Sequence, residues 1–147
     1  MKRSLILLLA ISAAGVVTSV GSAHSDGAHA TPRSGALHVT KECSDYHGAV
    51  GEFCTITSSN IEAIKPGMRV VYLQALGQDG SLDSELVLSA GHGSAAFGHV
   101  LLNSTTQHIT FSGGTGKFAG FHADAEVSVD EHGIWHWDGT YSFTPGK

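Results

Sequence analysis

Two nine-residue runs toward the C-terminal end leave this chain little choice of fold. In Phe121-His-Ala-Asp-Ala-Glu-Val-Ser-Val129 the odd positions are apolar, and the even ones are His122, Asp124, Glu126 and Ser128. In Trp135-His-Trp-Asp-Gly-Thr-Tyr-Ser-Phe143 the phase recurs, with His136, Asp138, Thr140 and Ser142 on the other side. A period of two is that of a strand with one face covered. The connector Asp130-Glu-His-Gly133 suits a type I turn closed by a left-handed glycine, which sets Val129 opposite Trp135. In that register Phe121, Val127, Trp135, Trp137, Tyr141 and Phe143 share one face, Glu126 faces Asp138, and Ser128 faces His136.

No other part of the mature chain argues for helices. From Ala36 onward no 3.6-residue apolar period is sustained, apart from one helical turn near Asn60 to Ile64 ahead of Pro66. β-type runs fall at Ala36–Thr40, Phe53–Thr57, Arg69–Leu76, Ser84–Ser89, Ala95–Leu102, His108–Phe111, Gly120–Val129 and Ile134–Phe143, parted by glycine-containing turns. About eight antiparallel strands at this spacing make a sandwich or an up-and-down barrel.

The N-terminal end has a different character. Lys2 and Arg3 precede an uncharged apolar run from Leu5 to Val20, and Gly21-Ser22-Ala23 offers the small residues a signal peptidase reads. Residues 1–23 are therefore expected to be an export signal. The alternative is an uncleaved anchor, for which the run falls just short of the roughly 18–20 residues a spanning helix needs. Residues 24–35 are small, polar and aperiodic and are expected to be disordered, leaving 36–147 as one β domain. Export implies a secreted or periplasmic protein with no membrane association after cleavage. In an oxidising compartment Cys43 and Cys54 are expected to form a disulfide; their spacing is not that of a redox Cys-x-x-Cys, and two thiols make no zinc site. Losing Lys2 and Arg3 leaves the chain two units more acidic than its formal −5, which argues against nucleic acid as a partner.

Phe111-Ser-Gly-Gly-Thr-Gly-Lys-Phe-Ala-Gly120 raises the question of a phosphate loop. A P-loop needs glycine five positions before Gly116 and a hydroxyl after Lys117; this chain has Phe111 and Phe118 there, and a strand follows where a helix is required. The stretch reads instead as a turn between strands, with Phe111 and Phe118 anchored in the core and the glycines allowing close backbone approach. Together with Gly98-His-Val-Leu-Leu102 and Gly139-Thr-Tyr-Ser-Phe143, it resembles the Gly-Gly-Thr-Gly-x-Phe signature of the allene oxide cyclase and dirigent protein superfamily. That resemblance implies an eight-stranded antiparallel barrel, a trimeric assembly, and an apolar lumen that handles a small reactive molecule without metal or organic cofactor. The family's catalytic carboxylates and dirigent aspartates have no matching motif positions here, so fold carries over and a reaction does not.

Within that expectation the ligand-lining candidates are Tyr72, Phe97, Phe121, Trp135, Trp137 and Tyr141, for a small apolar molecule. The competing reading is a barrel plugged by those same side chains, serving as a structural module of the envelope. Glu126 and Asp138, directly opposed, are candidate acid–base groups if shielded from water, with Tyr141 a third; the alternative is an ordinary solvated outer face. The ten histidines are scattered and show no metal-ligand spacing. His24, as a new amino terminus, suggests a weak copper site at most. His92 lies in a glycine turn, His99 in a strand, and Asn103-Ser-Thr105 forms a sequon that matters only in a eukaryotic host.

Overall fold

The computed structural model describes residues 33–145. The signal segment, His24 and most of the segment expected to be disordered lie outside the described residues. Eight strands follow one another: β1 Ser34–Glu42, β2 Phe53–Ser59, β3 Arg69–Tyr72, β4 Leu82–Ser89, β5 Ala95–Leu102, β6 Gln107–Thr115, β7 Phe121–Val129 and β8 Trp135–Phe143. Each pairs antiparallel with the next, and β8 pairs with β1, so the sheet is a closed up-and-down barrel without edges.

The C-terminal hairpin has the register its sequence dictates. Val129 pairs with Trp135, Glu126 with Asp138 and Ser128 with His136. Asp130 N–H donates to the Ile134 carbonyl (2.9 Å), Gly133 takes φ 77°, and Asp130 Oδ1 accepts from the amides of His132 and Ile134. Alternation governs the other strands too: Leu37, Val39 and Lys41 of β1 and Leu82, Ser84, Leu86 and Leu88 of β4 all point into the lumen.

Several boundaries differ from expectation, and three of the differences have a physical reason. β1 begins at Ser34, inside the segment expected to be disordered, because Ser34 and Gly35 pair with Ser142 and Tyr141. β3 ends at Tyr72, four residues short of Leu76, where the amides of Leu73 and Gln74 turn to the buried Ser84 hydroxyl. β6 runs on to Thr115, so Gly113 and Gly114 are strand residues paired with Phe97 and Ala96, and only Gly116–Phe118 forms a 3-10 turn. Gly114 is required by close approach: a Cβ there would strike the Ala95 carbonyl and lie 2.6 Å from Phe118 Cβ. Phe111 and Phe118 are buried, as their anchoring role demands.

The two ends of the lumen are closed differently. At the end carrying the β2–β3 and β6–β7 connections, Ile61, Ile64, Phe118 and Phe121 are buried, and Phe121 contacts Phe111, Phe118 and Phe143 at ring separations of 5.1–5.6 Å. Trp137 continues that packing against Phe111 at 5.6 Å. The other end, under the β1–β2, β3–β4 and β5–β6 loops, is not filled.

Candidate functional site

The inward phase of β1 ends in a charge. Leu37 and Val39 are apolar, but the next inward residue, beyond a register shift between Thr40 and Lys41, is Lys41, 4% exposed. Its Nζ donates to the Tyr72 hydroxyl (2.9 Å) on β3 and lies 3.4 and 3.6 Å from Cys43 Sγ and Cys54 Sγ, which form the expected disulfide. It also sits 5.0 Å from the ring centroid of Trp135, 5.6 Å from Tyr72 and 5.8 Å from Trp137. The rings and weak sulfur acceptors partly offset the cost of burial. Among the hydrogen bonds and ion pairs of the described residues, none joins Lys41 to a carboxylate. Desolvation therefore lowers the ammonium from its ordinary 10.5 to about 7. Burial raises the Tyr72 phenol, helped by Tyr46, so this hydroxyl keeps its proton.

Above Lys41 opens a cavity of about 830 Å³. Tyr46, Tyr72, Leu82, Leu102 and Trp135 form much of its wall, with Asp79, Ser81, Asn103 and Gln107 among its polar lining. Tyr46 packs on Tyr72 at 4.7 Å, and its buried hydroxyl has no hydrogen-bond partner among the described residues. The mouth loops are held by side-chain acceptors on their own backbone: Glu52 takes the amides of His47 and Ala49, Asp79 that of Ser81, and Asn103 those of Thr105 and Thr106. The Ala49 and His47 amides hold the Glu52 carboxyl below the usual range, and the Ser81 hydroxyl with its amide does the same for Asp79. Short turns locked in this way make a preformed opening.

The expected site residues divide. Tyr72 and Trp135 do line the cavity. Phe121, Trp137 and Tyr141 point inward but pack in the filled part of the barrel, Tyr141 against Phe143 and over Gly35, and none lines the cavity. Phe97 is turned out and 45% exposed: β5 is apolar on both phases near Ala96, and the inward positions belong to Ala96, Gly98 and Val100. Glu126 and Asp138 are opposed as expected, but on the solvated exterior, where their side chains are 77% and 56% exposed. Each meets a histidine there: Asp138 binds His38 Nδ1 (2.7 Å) and Glu126 lies 3.5 Å from His108 Nδ1. Shielding is absent, so the acid–base reading of this pair falls. His99 also faces out, on Asp83 (2.6 Å), and His92 takes φ 51° in its turn. Among the described residues, no three His, Cys, Asp or Glu side chains come together as a metal site.

Sequence reasoning missed Lys41. Its signal was the phase of Leu37-x-Val39-x-Lys41, which is hidden if the strand is stopped at Thr40. No family model, no curated protein and no solved structure matches the chain.

Proposed function

We propose that this is an exported barrel that receives a small apolar molecule in the open half of its lumen. The observation that carries this reading is the cavity of about 830 Å³ above Lys41, a size ordinary for small-molecule sites, in which Tyr46, Tyr72, Leu82, Leu102 and Trp135 give an apolar wall beside a polar lining of Asp79, Ser81, Asn103 and Gln107. The resemblance of Phe111–Gly120 to the allene oxide cyclase and dirigent signature favours the same use of the lumen, and trimeric assembly goes with it. The apolar segment 5–20 and the Cys43–Cys54 bond favour secretion or a periplasmic location. Any cyclisation or coupling in this cavity would rest on its shape and on Lys41 and Tyr72, because Glu126 and Asp138 face solvent and Tyr141 packs elsewhere.

A neutral apolar dye is expected to bind with a rise in its emission and quenching of Trp135, and Leu82→Trp is expected to abolish both by filling the cavity. The competing reading, a closed envelope module without a ligand, is favoured by the plugged half of the lumen. It predicts no saturable dye binding, and a dye response unchanged by Leu82→Trp would defeat the cavity reading.

A further inference from the structure

Lys41 is an unusual wall for an apolar ligand site. A cation held in such a place usually serves an anion, yet nothing else here is built for one. Among the described residues Lys41 is the only cationic side chain on the cavity, Asp79 shares its lining, and the chain as a whole is acidic. The resulting field repels anions from the mouth. What the site does provide is a desolvated amine on a strand, with its stem fixed between rings and its Nζ facing the cavity beside Tyr72 and Trp135. Removing water and any counter-ion makes the neutral amine accessible near neutrality, the condition under which a lysine attacks a carbonyl.

We infer that the cavity takes an apolar aldehyde or ketone and that Lys41 Nζ condenses with it reversibly as an imine. The assignment rests on the cavity being a ligand site and names the ligand's reactive group. The amine lone pair forms the new N–C bond as the carbonyl π bond opens onto oxygen, giving a carbinolamine. The C–O bond then breaks, and the oxygen leaves as water carrying both protons that were on the amine. Tyr72, hydrogen-bonded to Nζ at 2.9 Å and holding its own proton, is placed to relay one of them to the departing oxygen. No oxidant, reductant or metal is needed. The unpartnered hydroxyl of Tyr46, in the same cavity, offers a hydrogen bond to the carbonyl or carbinolamine oxygen. The titratable groups sharing Lys41's surroundings are Tyr72 on β3, Tyr46 in the β1–β2 loop and Asp79 in the β3–β4 loop, and Asp79 is occupied by Ser81.

The test uses the intact disulfide-bonded protein with decanal as the probe and cyanoborohydride as the trap, read by mass spectrometry of proteolytic peptides. Reduction of the imine should add the mass of the aldehyde less one oxygen. Lys41 is expected to label at least about tenfold faster than Lys65 and Lys117, because an exposed lysine is almost wholly protonated near neutral pH. Decanol, which fits the cavity but cannot condense, should compete with labelling. Lys41→Arg and Lys41→Met should both lose the fast label. Tyr72→Phe should slow labelling even at saturating decanal. Equal labelling of all lysines by a protein that binds decanol would overturn the imine and leave the cavity standing. Failure to bind decanol would remove the cavity reading and the imine with it.

Discussion

The two halves of the lumen are built from the same eight strands with the same alternation, yet one is solid and the other hollow. In the filled half the inward positions hold Phe111, Phe121 and Trp137, and Phe118 reaches in from the 3-10 turn to complete an interlocked aromatic set. In the hollow half the inward positions hold Lys41, Tyr72 and Trp135 around a cavity. The contrast separates two uses of an inward side chain. Packing in the first half is what closes and stabilises the barrel, whereas the second half spends stability on a desolvated amine that contributes nothing to packing that a methionine would not.

The sharpest way to break this comparison is to substitute one residue in each half and look at the sign. Lys41→Met is expected to stabilise the protein. Lys41 is a base whose folded value, about 7, lies below its ordinary 10.5, so between these limits the unfolded chain holds the extra proton. Wild-type stability should therefore rise with pH across that window, and the full penalty should apply below about 7. The gain from Lys41→Met should be largest at and below neutrality, up to roughly 4–5 kcal/mol, and should fade toward alkaline pH. Urea unfolding of both proteins between about pH 6 and 10 measures it. A difference independent of pH would mean that Lys41 is not held as a buried amine. Phe118→Ala, in the filled half, should act the other way, costing about 3–4 kcal/mol at every pH by opening a cavity among fully buried rings.

The disulfide sharpens the comparison at the mouth. Cys43 and Cys54 enclose the β1–β2 loop and place their sulfurs beside Nζ. Replacing both by alanine should cost about 3 kcal/mol in the chain-entropy model. It should also weaken dye binding, whereas Phe118→Ala should leave the affinity of the folded protein nearly unchanged. Equal effects on binding from the two variants would show that the halves are not independent.

How much of this could be read beforehand follows the same division. The filled half was legible because it rests on local patterns: the 121–143 alternation and its four-residue turn fix the hairpin register, and Phe111 and Phe118 flank glycines that admit close approach. The hollow half was not, because a cavity is made by what is missing across several strands. Phe121, Trp137 and Tyr141 share a face with Trp135 but lie deeper, and depth along a barrel depends on pairing β8 with β1, a contact that spans most of the domain. Phe97 misled because β5 is apolar on both phases. Lys41 was overlooked because charge at an inward position runs against the rule that alternation otherwise obeys.

The exterior supplies the smallest effect and the last contrast. His108, Glu126, Asp138 and His38 occupy paired positions across β6, β7, β8 and β1, so two adjacent carboxylates are flanked by histidines on either side. Adjacent like charges repel, and while His38 hydrogen-bonds Asp138, His108 hydrogen-bonds Asp124 and lies 3.5 Å from Glu126. All four lie in water, however, and exposed pairs contribute under about 1 kcal/mol. Glu126→Gln is accordingly expected to change stability by a few tenths of a kcal/mol at most, with the sign set by whether relief of the Asp138 repulsion outweighs loss of His108. Dye binding and labelling of Lys41 should be unaffected. A loss of labelling in Glu126→Gln would tie the outer face to the lumen chemistry and break the separation between a solvated exterior and a site that depends on the inward residues alone.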